Sequence, residues 1–344
     1  MVWKVLGATL LCTLLAAAQL QLRSGITAVQ VLPGWEVGAP ATVVNTGTAP
    51  LRLIVQMDPT QMPQGALPYF CWGPSCYAPG VLVSPDTVTL APDAEEHSFK
   101  AYVYIEAGSA AASAPLVFRF RNAETGAEVL THTVWVRISE PTADPVQLVW
   151  AQVGIAAPAG SELASLAALY NGGTQERRLL VRLEPIGLPT DAVRFCLGDS
   201  CYGSGVLTAP DTLVLSPRHF YPRLTCWMRI AEAANASVRV HITDAATGQP
   251  VADYLISPAI STAVAAEPVL PTVPPRLLVA PSRLILPAGT ALELWSLTGQ
   301  QLLRIPAAAR EQDISLPALA PGLYLYRFLR GTGVVHTGAF LQPN

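Results

Sequence analysis

The sequence predicts an all-β chain: two tandem β-sandwiches of one design, followed by a smaller C-terminal β-sandwich. Three observations carry this. A domain-sized segment occurs twice, short runs of alternating apolar and polar residues fill both copies, and turn-forming clusters separate the runs. The composition of the 344 residues agrees. Hydrophobic residues make up 51% and charged residues 13%, against the roughly 25% charge of an average domain. That balance excludes a disordered chain and a heptad coiled coil. The formal net charge is −3 and no basic block occurs, so the chain has no electrostatic footprint for nucleic acid.

The duplication is read from Phe70-Cys71-Trp72-Gly73-Pro74-Ser75-Cys76-Tyr77 against Phe195-Cys196-Leu197-Gly198-Asp199-Ser200-Cys201-Tyr202, at an offset of 125 residues. The match continues through Gly80-Val81-Leu82 against Gly205-Val206-Leu207, and Pro85-Asp86-Thr87 against Pro210-Asp211-Thr212. Asn45-Thr46-Gly47 matches Asn171-Gly172-Gly173. The period is too long for a solenoid repeat and fits a whole domain. Residues 19–142 and 143–265 are the two copies.

Each copy reads as strands. Leu51, Leu53, Val55 and Met57 alternate with Arg52, Ile54 and Gln56, and Leu179, Val181 and Leu183 with Arg178, Leu180 and Arg182. Leu116, Phe118 and Phe120 alternate with Arg119 and Arg121, and Val238, Val240 and Ile242 with Arg239 and His241. A period of two sends one set inward. Ser161 to Tyr170, rich in Ala and Leu, has helix propensity, but its counterpart Trp35 to Val44 contains Gly38 and Pro40. Copies share a fold, so both are read as strand. Short strands at this density predict immunoglobulin-like sandwiches.

Ahead of the repeats, Lys4 precedes an apolar run from Val5 to Ala18 of about 14 residues, short of the ~20 that span a bilayer. It ends in Ala16-Ala17-Ala18. Residues 1–18 are read as a secretory signal peptide cut by signal peptidase, which places the rest where disulfides form. Residues 266–275 form a proline-rich linker, read as a semi-rigid spacer, and residues 276–344 a third unit. Strands are expected in it at 292–296, 301–305, 323–329 and 334–341. The last two are joined by Arg330-Gly331-Thr332-Gly333.

The cysteine spacing predicts one local disulfide per repeat, Cys71 with Cys76 and Cys196 with Cys201. So short a loop gives only roughly 2 kcal/mol by chain entropy. A zinc site needs more ligands than either pair offers, and a thioredoxin-like centre has two intervening residues, not four. Cys226 aligns with Ala101 and is read as a buried free thiol, the sharper alternative being an intermolecular link. Trp72 and Tyr77 are candidate ligand contacts for a sugar, against the alternative that they pack over the disulfide. Asp86 and Asp211 are read as turn residues, with a calcium ligand as the alternative. None of the five histidines has metal-ligand spacing, no serine sits in a nucleophile elbow and no glycine-rich phosphate loop occurs. No catalytic residue, metal or cofactor is expected.

The third unit carries Leu292-Glu293-Leu294-Trp295-Ser296-Leu297-Thr298-Gly299-Gln300-Gln301, then Ile314-Ser315-Leu316, Leu319 and Pro321-Gly322-Leu323-Tyr324-Leu325-Tyr326-Arg327. This resembles the C-terminal sorting domain of type IX secretion cargo in Bacteroidetes. Gly299, Leu319, Pro321, Gly322 and Tyr324 match the family's motif positions. Where the family often opens on Pro-Asn-Pro, this chain has Ala280-Pro281-Ser282. The resemblance implies passage through the periplasm, recognition by the outer-membrane translocon and its sorting machinery, and tail cleavage. The product would be released or attached to a surface glycolipid. The paired repeats are also similar to accessory sandwich modules of such proteins. The expected function is therefore a secreted or outer-membrane surface, non-catalytic scaffold. An adhesin or carbohydrate-binding module is the alternative, and a secreted hydrolase with scattered carboxylates stands behind both.

Overall fold

The computed structural model describes residues 19–229, 236–260, 283–286, 290–296, 300–308, 312–315, 319, 322–330 and 333–342. Residues 1–18, read as a signal peptide, the proline-rich stretch 266–275, Gly299, Pro321 and Gly331-Thr332 lie outside them.

The first repeat runs β1 (Leu20–Val31), β2 (Glu36–Asn45), β3 (Leu51–Asp58), β4 (Ala66–Trp72), β5 (Ser75–Tyr77), β6 (Val88–Leu90), β7 (Glu95–Glu96), β8 (Lys100–Ile105), β9 (Ala112–Asn122) and β10 (Glu128–Ile138). The second runs β11 (Val146–Ala157), β12 (Glu162–Asn171), β13 (Arg177–Ile186), β14 (Val193–Leu197), β15 (Ser200–Tyr202), β16 (Leu213–Leu215), β17 (Phe220–Arg229), β18 (Ser237–Asp244) and β19 (Pro250–Ile260). The segment with helix propensity, 161–170, is strand β12, because it pairs with β11 on one side and β17 on the other. Tertiary pairing overrides a weak local preference.

Each repeat is a two-sheet sandwich with the same pairing. In the first, β2, β8, β4 and β5 form one sheet, and β6, β3, β9 and β10 the other. Strand β1 serves both: Leu20–Gly25 pairs with β2, and after a bulge Ala28–Val31 runs parallel to β10. In the second, β11 likewise pairs with β12 and then runs parallel to β19. The alternating residues read from the sequence face the core. Leu53, Val55, Met57, Phe118 and Phe120 are buried, as are Leu179, Val181, Leu183, Val238, Val240 and Ile242. Phe99 meets Phe118 and Phe120 edge-on at 5.0 and 5.1 Å, a preferred aromatic geometry.

Two polar devices recur in the copies. Asn45, fully buried, donates to the carbonyls of Ala49 and Leu90 and accepts from the Gly47 N–H. Asn171 does the same with Gln175, Leu215 and Gly173. These bonds tie a turn to the core edge, and they account for the matching Asn-x-Gly motifs. The second device is a buried polar residue with an atom that has no partner. His132 on β10 and Tyr254 on β19 occupy equivalent positions, opposite Phe118 and Val240. Among the described residues neither His132 Nε2 nor the Tyr254 hydroxyl has a hydrogen-bond partner.

The repeats are joined edge to edge. Strand β1 pairs antiparallel with β11, so one sheet runs β6-β3-β9-β10-β1-β11-β19-β18-β13-β16 through both sandwiches. The register is self-equivalent. Gly25 faces Ala156 while Gln30 faces Ala151, Ile26 faces Ile155 while Val29 faces Gln152, and Ala28 faces its own counterpart, Gly154. A local two-fold thus passes through the Ala28–Gly154 pair. A Cβ on Gly154 would lie 2.7 Å from Ala28 Cβ and 2.8 Å from Ala28 N, which is why glycine stands there. Gln152 Nε2 donates to the Gly38 carbonyl at 2.8 Å, and its Oε1 accepts from Leu166 N–H. Trp35 stacks on Phe220 at 5.1 Å and tilts against Tyr170 at 5.2 Å.

The tail contributes β20 (Arg283–Leu286), β21 (Thr290–Ser296), β22 (Gln301–Ile305), β23 (Gln312–Ser315), β24 (Gly322–Arg330) and β25 (Gly333–Gln342). One sheet has the order β22-β21-β24-β25, and β20 pairs with β23. Strands stand at the four places the sequence reading named. The strands β20 and β23 were not anticipated.

Candidate functional site

The two disulfides sit across short hairpins. Cys71 on β4 faces Cys76 on β5, and Cys196 on β14 faces Cys201 on β15. Gly73 and Gly198 turn these hairpins with φ of 59° and 63°, a conformation L side chains rarely adopt.

The candidate ligand contacts beside the first disulfide are corrected. Trp72 is fully buried, donates its indole N–H to the Leu53 carbonyl and meets Phe120 edge-on at 5.4 Å. Tyr77 is buried at 6% exposure and packs on Phe70 at 5.0 Å. Its hydroxyl lies 2.9 Å from Asp86 Oδ2, with burial first and this bond second holding the phenol well above its usual range. Both side chains belong to the core, so neither presents a face to a sugar. The physical reason is strand parity: Trp72 lies two residues beyond Phe70 and shares its inward face. Asp86 therefore anchors Tyr77. Among the described residues no cluster of three or more His, Cys, Asp or Glu could hold a metal ion.

Cys226 lies on β17 opposite Phe195, buried, and among the described residues it is paired with no other cysteine. Burial pushes its thiol up to about 12. Of the sorting-motif residues, Gly322 opens β24, Tyr324 lies on that strand half-buried, and Leu319 is half-buried outside any strand.

The chemistry that sets the repeats apart lies on the outer face of the β2-β8-β4 sheet. Register places Glu36 beside Tyr104, Gly38 beside Tyr102, and Tyr102 beside Tyr69. Tyr69 points away from the sandwich core yet is 0% exposed. Its ring stacks on Tyr102 at 4.9 Å with 7° between planes, and Leu325 of β24 packs against it. Its hydroxyl donates to Glu36 Oε2 at 2.8 Å. Burial raises the Glu36 carboxyl to about 8, against the lowering effect of that bond. Burial and the neighbouring Glu36, Tyr102 and Tyr326 hold the Tyr69 phenol well above its usual range. The sequence reading did not single out these residues.

In the second repeat the equivalent face carries Glu162, Ala164, Arg194, Trp227 and Arg229. Arg194 grips Glu162 with two bonds, Nε–Oε1 at 3.0 Å and Nη2–Oε2 at 2.9 Å, and its guanidinium lies 4.6 Å from the Trp227 ring centre. The Glu162 carboxyl is held below its usual range first by this bond. The pair is partly exposed, so it contributes no more than about 1 kcal/mol. A glutamate is common to both faces, but its partner is a buried phenol in one and a solvated guanidinium in the other. Trp135, on the outer face of β10 between Pro115 and Ala28, is 52% exposed.

No family model matches the chain and no curated protein matches it. Solved structures with similarity include the N-terminal domain of PorA, at 17% identity over 35% of this chain and 98% of that one, with a TM-score of 0.29. An ASH/PapD-like domain of human CEP192 matches at 12% identity over 41% of this chain and all of that one, with a TM-score of 0.24. SSP-19, an MSP-domain-like protein of Caenorhabditis elegans, matches at 14% identity over 33% and 92%, with a TM-score of 0.20. At these scores none of them carries a functional argument.

Proposed function

We propose that the chain is a non-catalytic scaffold, exported to the cell surface or medium, whose paired sandwiches act as one stiff body. The observation that carries this is the β1–β11 pairing. A sheet continuous through both repeats, with Trp35, Gln152 and Ala28 locked across the junction, resists bending as a flexible linker does not. Two disulfides fit an oxidising destination. Residues 1–18 supply entry to the periplasm. The tail, with the motif residues quoted above, supplies recognition by the type IX translocon, and its removal leaves the scaffold released or held on a surface glycolipid. The test is deletion of 276–344 in the native host. Retention in the periplasm is the expected result, and unchanged surface display refutes the sorting role.

A second reading, carbohydrate binding, now rests on Trp135. It stands exposed on the outer face of β10, with Pro115, Ala28 and Gly154 in register beside it, and an indole so placed can stack on a sugar ring. Glycan-array binding that disappears in Trp135→Ala supports this reading; no binding by the parent protein removes it.

A further inference from the structure

An outward-facing tyrosine on a sandwich sheet is normally wet on one side. Tyr69 is dry. Among the described residues Tyr102 of its own sheet stacks on it, and Leu325 on the tail's β24 packs against it. Tyr326, the next residue on that strand, is 2% exposed and close enough to disfavour the ionised form of Tyr69. Strand β25 of the tail also approaches β5, so the contact extends toward the disulfide hairpin.

The second repeat provides an internal control. Its equivalent positions hold Arg194 for Tyr69, Trp227 for Tyr102 and Ala164 for Gly38. Gly38 lets the Tyr102 ring lie flat across β2, since a Cβ there would stand 3.0 Å from that ring. The first repeat thus has a flat phenolic seat where the second has a charged, solvated pair. The tail uses the first.

We infer that the outer face around Gly38, Tyr69 and Tyr102 is a dedicated docking surface for the tail unit, with Leu325 as the inserted residue. The tail is then a releasable cap, and cutting the linker and diluting uncovers a phenolic face with Glu36 at its edge. This rests on the reading of the tail as a removable unit, and extends it by saying what removal exposes. The Glu36–Tyr69 hydrogen bond suits a capped face, because a half-buried carboxyl beside a dry phenol is favoured when it keeps a partner.

The experiment uses the purified full chain with a protease site inserted between 261 and 282. Nitration by tetranitromethane, mapped by peptide mass spectrometry, reports tyrosine exposure; gel filtration after cleavage, over a dilution series, reports tail release. Tyr69 is expected to resist nitration in the intact chain and in the freshly cut complex, and to react once dilution frees the tail. Tyr102→Ala and, from the tail side, Leu325→Asp should each lower the dilution at which release occurs by about tenfold or more, as loss of a central anchor does. Arg194→Ala on the equivalent face should leave release unchanged. Equal nitration of Tyr69 in the intact chain and in the cut chain after the tail has been diluted away, or release insensitive to both variants, overturns the inference. Export plays no part in these readouts. Docking without an export defect on tail deletion leaves the cap standing and removes the sorting role. The reverse outcome leaves the sorting role and removes the cap.

Discussion

Gly154→Val tests the junction between the repeats. The first atom of any side chain at this position falls 2.7 Å from Ala28 Cβ, 2.8 Å from Ala28 N and 2.8 Å from Thr27 Oγ1. Ala28 N is backbone and Ala28 Cβ is fixed to it, so of the three only the Thr27 hydroxyl can rotate aside. Strand β1 must lift from β11 around the Ala28–Gly154 pair. Overpacking of this kind costs about 1–3 kcal/mol, and each ladder bond loosened adds about 1 kcal/mol. A loss of about 2–4 kcal/mol is expected, lowering Tm by at least about 4 °C for a body of this size. Urea unfolding followed by tryptophan fluorescence measures it, since Trp150 is buried at the junction. Gly203→Ala is the control, because nothing lies within 4 Å of a Cβ there, and its effect should stay within about 0.5 kcal/mol. A Gly154→Val protein as stable as the parent refutes the rigid-junction reasoning.

Two further outcomes follow from buried polar groups. Burial lowers His132 from 6.5 to about 4, so the unfolded chain binds its proton first as pH falls. The associated stability is complete above about pH 6.5 and is lost between there and pH 4, up to about 3 kcal/mol; His132→Phe should flatten the unfolding free energy across that window, and an unchanged slope counts against the assignment. Asn45→Ala should strand the carbonyls of Ala49 and Leu90 and the Gly47 N–H, and Asn171→Ala the matching groups of the second repeat. Each should cost about 3 kcal/mol by denaturant titration, and a loss below about 0.5 kcal/mol would show the motif to be a surface turn.

Much of the fold was legible in the sequence because alternation is a local signal. Leu53-Val55-Met57 and Phe118-Phe120 announce their face through the side chains alone. The Phe-Cys-x4-Cys-Tyr pairs fixed the repeat for the same reason. What escaped was non-local. Strands β1 and β11 each serve two sheets and carry bulges, so their alternation breaks at the residues that join the repeats. Ala28 and Gly154 are poor strand formers in isolation, and only the opposing backbone explains them. For Trp72 two readings stand open in the sequence, a sugar contact or packing, and its spacing from Phe70 decides for the core. Tyr69 could not be found from the first repeat alone, because what dries it lies more than two hundred residues later. The strand β23, Gln-Asp-Ile-Ser, is too short and polar for a period-two signal.

The self-equivalent register of β1 and β11 is how two separate copies of one sandwich would associate across a symmetry axis. Covalent connection makes that association intramolecular, so it persists at any dilution and sets no demand on protein concentration. Each half is also released from remaining identical to the other. One could become tyrosine-lined while its sibling took on arginine and tryptophan, without either change disturbing the edge by which they hold together.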